Sequence, residues 1–249
     1  MASDAALPPH PTLPGYYDGP AAKRGFLREM FDATAADYDS TESLLALGTG
    51  RKYRRDALLR AGLQPGMRVL DVAIGTGLVA REEIAITGDA KLVTGLDPSI
   101  GMMRRAIEQL GVKVVLGIGE ALPLADQQFD FVSMGYALRH VGDVRAAFAE
   151  YFRVLKPGGR VCILEISRPT GPVHRLVLKA YMKLFVPMVT RMRTRRADTQ
   201  KLWEYYWDTI EQCVPADQVV AALQSVGFTD VKWTPVMKMF SEYTATKPG

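Results

Sequence analysis

Residues 71–77 read DVAIGTG, and the stretch runs on as GTGLVA from Gly75 to Ala80. Glycines two apart let a chain turn tightly and let its backbone approach a ligand closely. GTGLVA satisfies the dinucleotide pattern G-x-G-x-x-G/A, which seats a pyrophosphate on a helix N-terminus. It fits equally the looser glycine loop of enzymes that bind S-adenosylmethionine. The neighbouring carboxylate separates the two ligands. Asp71 would face a pyrophosphate unfavourably, whereas it would attract a cation such as the ammonium of a methionine moiety. The plainer alternative is that Asp71 caps the turn. Asp97 follows Gly77 by 20 residues, where an acidic side chain accepts hydrogen bonds from ribose hydroxyls of either ligand.

Such a loop needs a strand before it and a helix after it. MRVLDVA (67–73) reads as a buried strand, and a helix is expected from about Thr76 to Ile86, closed by Gly88. KLVTGLD (91–97) is a second strand, followed by a helix capped by Ser99 and ending at Leu110. VKVVLGIG (112–119) and FDFVSMGY (129–136) are the third and fourth strands. Asp143 caps a helix to Leu155, Lys156-Pro157-Gly158-Gly159 is a turn, and RVCILEIS (160–167) is the fifth strand. Strands alternating with helices mean a parallel α/β sheet covered on both faces, with ligands beyond the carboxyl ends of its strands.

The flanks differ. Residues 1–22, rich in proline and glycine, read as a disordered arm, and residues 23–62 as a helical lid. In the lid Leu27, Met30 and Phe31 share one face, and Tyr53, Ala57 and Leu58 another. The remainder, 63–249, is one domain carrying a helical cap insertion at 168–214 and closing with a helix (215–228) and a hairpin built from TDVKWTPV and MKMFSEYTAT.

Composition excludes several classes. The 249 residues carry a net charge of +4 and two cysteines, Cys162 and Cys213. Two cysteines without metal-ligand spacing predict neither a disulfide scaffold nor a metal site. No apolar run reaches the ~18 residues of a membrane span, and no signal peptide opens the chain. A reduced, cytoplasmic protein is expected. The cap segment PVHRLVLKAYMKLFVPMVTRMRTRRAD (172–198) mixes apolar residues with Arg175, Lys179, Lys183, Arg191 and Arg193. A basic amphipathic helix of that kind either rests on an anionic membrane surface or packs over the core with a solvated charged face. A homodimer is left open.

Longer segments carry a resemblance. EALPLADQQFDFVSMGYALRHVGD (120–143) and FRVLKPGGRVCILEISRP (152–169) are similar to class I S-adenosylmethionine-dependent methyltransferases. Within that group the chain resembles the UbiE/COQ5 quinone-biosynthesis C-methyltransferases over roughly residues 26–247. FDATAADYD (31–39) matches the family's F-D-x-x-A-x-x-Y-D segment. Ala73 stands where most methyltransferases have glycine, and LRH (138–140) where the family has L-R-N. WEYYWDTI (203–210) is similar to Y-x-Y-L-x-E-S-I.

The resemblance implies a Rossmann-like, seven-stranded α/β sheet with helices on both faces, and S-adenosylmethionine lying across the ends of strands one and two. Asp71, Ala73, Gly75 and Gly77 would hold its methionine part, Asp97 its ribose, and Pro98 and Met102 would line it. The backbone at Gly119 and Glu120 would read the adenine edge. Tyr38 either reaches the methionine carboxylate or faces outward. The implied reaction is C-methylation of a demethylated quinol of the menaquinone or ubiquinone type. Arg139 would stabilise the developing phenolate. His140 would act as base, directly or through water, or else cap the loop or pair with Asp143. Tyr136, Tyr205 and Asp208 are the expected substrate contacts, with Tyr206 and Trp207 forming an apolar wall.

Three positions depart from the family: Ile74 replaces a glycine, Ile118 stands where an aspartate often meets adenine, and His140 replaces asparagine. Rival readings are an O-, N- or C-methyltransferase of a secondary metabolite, a lipid-headgroup methyltransferase, and a non-catalytic S-adenosylmethionine-binding regulator. A nucleic-acid methyltransferase is disfavoured, because MGYALRH replaces the N-P-P-Y-type loop and neither cysteine is placed as a nucleophile.

Overall fold

A computed structural model of the chain describes residues 6–36, 38–39, 49–166, 168, 171–186, 188, 197–237 and 239–249. Its strands are β1 (Val69–Val72), β2 (Val93–Asp97), β3 (Lys113–Leu116), β4 (Phe129–Gly135), β5 (Leu155–Ile166), β6 (Thr229–Val236) and β7 (Phe240–Thr246). They form one seven-stranded sheet in the order β3-β2-β1-β4-β5-β7-β6. β1 to β5 pair in parallel, and β7 runs antiparallel to both β5 and β6. All four residues of β1 are buried, as expected of a central parallel strand covered on both faces. The expected Rossmann-like sheet is therefore the observed one.

Helices cover it. The described ones are α1 (Pro20–Thr34), α2 (Gly50–Arg60), α3 (Ala80–Thr87), α4 (Ile100–Leu110), α5 (Val144–Val154), α6 (Pro172–Ala180), α7 (Ala197–Glu211) and α8 (Ala216–Ser225). α6 runs on through a single π-helical segment, Tyr181–Phe185. One apolar cluster holds Leu70, Val132, Phe148, Tyr151 and Leu223; a second holds Leu58, Val69, Ile86 and Phe131. A third, the cap cluster, joins Leu27 and Met30 of α1 to Met182, Trp203, Tyr205 and Trp207.

Local signals set the helix ends that face the site. Ser99 accepts the Met102 N–H at 3.1 Å and starts α4, and Asp143 accepts the Arg145 N–H at 2.9 Å and starts α5. Each is a side-chain N-cap satisfying a donor the helix itself cannot. α3 ends on Gly88, whose φ of 92° is the left-handed cap conformation.

Two expectations change. The turn expected at Lys156–Gly159 lies inside β5 as an irregularity: two steps along β4, Phe129 to Phe131, match five along β5, Leu155 to Arg160. Gly158, at φ 77°, donates its N–H to the Lys247 carbonyl at 2.9 Å, and Lys247 returns one to Gly159 at 2.8 Å, so the distortion is tied into the sheet. Second, the arm is not disordered where it is described. Leu7 donates to Asp143 Oδ1 (3.1 Å) and accepts from the Val144 N–H (2.9 Å), and Pro9 accepts from the Val214 N–H (2.6 Å). Leu13 and Tyr17 are buried in the cap cluster. Prolines cheapen this ordering by restricting the unfolded chain. Residues 1–5, the lid segment 40–48 and the arginines from Arg191 to Arg196 lie outside the described residues. No helix among the described residues is long and apolar enough to cross a membrane.

Candidate active site

The carboxyl ends of β1, β2 and β4 open into a cavity of about 670 Å³, roofed by α1. That volume is within the ~300–1,000 Å³ usual for small-molecule sites. At one end Ala73, Gly75, Asp97, Pro98, Met102, Gly119 and Glu120 line it, together with Leu96, Leu116 and Ile118. Asp97 ends β2 with both oxygens engaged: Oδ1 accepts from the Ser99 N–H and Oδ2 from the Gly75 N–H, each at 2.8 Å. Burial pushes its carboxyl up to about 6, with Asp32 adding to the rise and the two N–H groups opposing it. Glu120 accepts the Gly142 N–H, joining the loops that follow β3 and β4.

Asp71 and Gly77 are corrections, since neither lines the cavity. Asp71 is 1% exposed and turns beneath the loop, where Oδ1 accepts the Ser133 hydroxyl at 3.1 Å and Oδ2 has no partner among the described residues. Glu83, on the first turn of α3, faces it in the same dry interior. Burial raises both carboxyls, with Asp97 adding to the rise at Asp71 and Asp71 to the rise at Glu83. Gly77, at φ 92°, lets the loop turn over α4; a Cβ there would come within 2.4 Å of Leu110 Cδ1.

Ile74 also leaves the cavity alone. It is 4% exposed and packs onto Gly95 of β2, where a Cβ would lie 2.4 Å from Ile74 Cδ1 and 3.0 Å from Cγ2. The missing side chain of Gly95 makes room for the isoleucine. Ala73 holds φ 57°, the left-handed conformation that glycine adopts more cheaply.

The roof is fastened by the acids of FDATAADYD. Asp32 Oδ1 accepts from Ser99 Oγ (2.6 Å) and the Gly101 N–H (2.8 Å), so α1 caps the start of α4. Asp39 accepts from Thr76 Oγ1 in the glycine loop and from Gln109 Nε2 at 2.8 Å. The sequence placed both acids in a motif without indicating what they hold.

The other end of the cavity is aromatic. Phe31, Tyr38, Tyr136, His140 and Tyr206 line it. Tyr38 and Tyr206 share a hydrogen bond between their hydroxyls at 3.0 Å. His140 stacks on Tyr205 and Tyr206, at 5.7 and 5.8 Å between ring centres, and meets Phe31 edge-on. Among the described residues neither ring nitrogen has a hydrogen-bond partner. Burial first, then the positive charges of Arg139, Lys23 and His10, hold its pKa well below the ordinary value. The His140 ring lines the cavity with both nitrogens buried, and the lowered pKa favours the neutral imidazole. It does not pair with Asp143, whose carboxylate is engaged with Leu7 and Arg145 backbone.

Arg139, Tyr205 and Asp208 do not reach the cavity. Arg139, 1% exposed, forms an ion pair with Glu165 of β5, donates its backbone N–H to the same carboxylate (3.2 Å), and lies 4.7 Å from the Tyr206 ring centre. It supports the aromatic wall from behind. Tyr205 backs His140, and Asp208 accepts the Tyr16 hydroxyl at 2.9 Å. Lys23 of α1, which no local sequence pattern marked, does line the cavity.

A model of the ubiE/COQ5 methyltransferase family matches residues 21–240. The chain belongs to the ubiE/COQ5 methyltransferase family. The UbiE ubiquinone/menaquinone biosynthesis C-methyltransferase of Shewanella halifaxensis is 33% identical over 219 residues, covering 85% of this chain and 86% of that protein. The demethylmenaquinone methyltransferase of Corynebacterium efficiens is 34% identical over 221 residues, covering 88% and 93%. In fold, the methyltransferase is similar to phosphoethanolamine N-methyltransferase 2 of Haemonchus contortus in complex with S-adenosyl-L-methionine, with a TM-score of 0.67 at 17% identity over 96% of this chain and 62% of that one.

S-adenosylmethionine is the cofactor of this methyltransferase, and the cavity suits it. The carboxylate of Asp97 at the end of β2, the apolar slot of Leu96, Met102, Leu116 and Ile118, and the open face at Gly75, where a Cβ would meet nothing nearer than 4.0 Å, match ribose, adenine and a closely approaching chain. Ile118 supplies apolar contact where a hydrogen-bonding aspartate was the alternative.

Proposed function

We propose that this methyltransferase moves a methyl group from S-adenosylmethionine to a ring carbon of a demethylated quinol of the menaquinone or ubiquinone type. The observation that carries this reading is His140, whose imidazole forms part of the aromatic wall, with both nitrogens buried and without a hydrogen-bond partner among the described residues. The names of the Shewanella and Corynebacterium relatives support the acceptor class.

When bound, S-adenosylmethionine supplies a methyl group on a sulfonium, open to displacement. Asp97 and the glycine loop fix the cofactor's end of the cavity. Phe31, Tyr38 and Tyr206 hold an aromatic ring by stacking and exclude water from the reacting pair. His140 takes the proton of a ring hydroxyl, which makes the adjacent carbon nucleophilic; such base catalysis contributes about 10²–10⁴-fold. Arg139 and Glu165 keep Tyr206 and His140 in place.

The reading extends to the source of the acceptor. On α6 and its π-helical extension, Val173, Leu176, Val177 and Leu184 are each 63–71% exposed, beside Lys179 and beside Arg175 and Lys183, which pair with Glu211 and Asp208 of α7. This is the pattern of an interfacial helix meeting an anionic bilayer that carries a prenyl-tailed quinol. Sedimentation with vesicles containing phosphatidylglycerol tests it; Leu176→Asp together with Leu184→Asp should abolish co-sedimentation.

The activity is tested by supplying labelled S-adenosylmethionine and a reduced, short-tailed demethylated quinone, then locating the label by mass spectrometry. A methyl on a ring carbon supports the proposal. No transfer from a preparation shown to bind cofactor removes the quinol reading.

A further inference from the structure

His140 alone leaves the proton transfer unbalanced. Its low basicity makes it a weak acceptor for a phenolic proton, so the oxygen left behind needs a positive charge. Arg139 cannot provide it, being committed to Glu165 behind the wall. Lys23 can. Its side chain, 7% exposed, reaches down from α1 and lines the cavity. Nζ donates to the Val141 carbonyl at 2.9 Å and approaches the Arg139 carbonyl at 3.5 Å, the carbonyls on either side of His140. Among the described residues no carboxylate forms an ion pair with it, and an ammonium has a third hydrogen to give.

We propose that Lys23 is a catalytic residue that receives the acceptor's ionised oxygen, so that the site selects acceptors with an acidic ring hydroxyl and rejects cationic amines. The charge surroundings agree. Burial lowers the Lys23 ammonium to about 8, with Glu120 and Cys213 opposing the fall. Facing it are His10 from the N-terminal segment, itself lowered to about 4 chiefly by burial and then by Lys23, and His140 and Arg139 from the loop after β4. An anion here relieves a crowd of basic groups. A protonated amine would add to it.

The steps balance. The hydroxyl proton goes to His140 and the negative oxygen stays beside Lys23. The ring carbon's electron pair forms the new C–C bond while the sulfur keeps the pair of the breaking C–S bond, leaving a neutral thioether. The methylated dienone then sheds its ring proton to water, and the oxygen takes back the proton held by His140. One proton is released overall.

The inference rests on the quinol reading for its substrate, and its test is separate. 4-Nitrophenol, whose ionised form is coloured, is titrated in the complex of the protein with S-adenosylhomocysteine. An opposite charge within ~4–6 Å depresses such a group by about 1–3 pH units. The wild type should show a bound midpoint at least about one unit below free nitrophenol. Lys23→Gln, which can still donate to the Val141 carbonyl, should lose the shift, and Lys23→Arg should keep most of it. On the quinol, Lys23→Gln should lower kcat about 10²–10³-fold, as for loss of one oxyanion donor, with cofactor affinity unchanged. An equal midpoint in wild type and Lys23→Gln, or no nitrophenol binding to the wild type, overturns the proposal even if the quinol is methylated. Failure to methylate the quinol, with the midpoint shift present, removes only the quinol reading.

Discussion

Replacing Arg139 by methionine separates a supporting role from a chemical one. The guanidinium and Glu165 are 1% and 2% exposed. With Arg139 truncated, the carboxylate keeps, among the described residues, the backbone N–H groups of residue 139 at 3.2 Å and Ile166 at 2.7 Å. Breaking a buried pair from one side costs about 3–5 kcal/mol, because the remaining charge stays desolvated. The contact with the Tyr206 ring, at 4.7 Å, adds about 0.5–2 kcal/mol when lost, and the two surviving N–H bonds offset a similar amount. About 3–5 kcal/mol remains, or a fall in Tm of roughly 6–20 °C at about 2–4 °C per kcal/mol for a chain of this size. Arg139→Met combined with Glu165→Leu removes both charges and should recover most of that loss. Calorimetric melting of the wild type, the single and the double variant measures both effects. A single variant that melts within about 2 °C of wild type yet has lost turnover at saturating acceptor would refute the reasoning, since the guanidinium would then act on the acceptor itself.

Three further outcomes are expected. Asp97 gains negative charge above about 6, so cofactor binding that needs its ionised form weakens about tenfold per pH unit as pH falls below that value; titration calorimetry between pH 5 and 8 should show this, and Asp97→Asn should flatten it. Asp32→Ala removes the acceptor of two lid bonds, each worth about 1.5–3 kcal/mol to a charged group; cofactor affinity should fall about tenfold or more and Tm by roughly 6 °C or more at about 2–4 °C per kcal/mol, and unchanged affinity would deny the fastening role. Gly95→Ala puts a Cβ against Ile74 at about 1–3 kcal/mol, and Ile74→Ala in the same chain should restore the melting temperature.

Much of this could be read locally. The N-caps at Ser99 and Asp143 and the strand-loop at DVAIGTG depend on neighbours within a few residues, and each sits where the pattern put it. What escaped depends on distant partners. Arg139 looked available to a substrate because Glu165, 26 residues on, was not visible as its partner. Asp71 looked like a ligand contact because the side of β1 it occupies is decided by its pairing with Ser133. Lys23 lies more than a hundred residues from the carbonyls it grips, and the arm's packing against Asp143 and Val214 is likewise nonlocal.

The placement of β7 between β5 and β6 makes completion of the sheet depend on one strand. Among the described residues β6 pairs only with β7, so it joins the sheet only through it, and the Val161–Leu164 run of β5, buried throughout in the finished sheet, has an unpaired edge until β7 is seated. An apolar strand with an open edge is the usual seed of self-association. Detachment of β7 therefore frees β6 and bares β5 together, so weakening β7 should promote aggregation more than weakening β6 to the same degree.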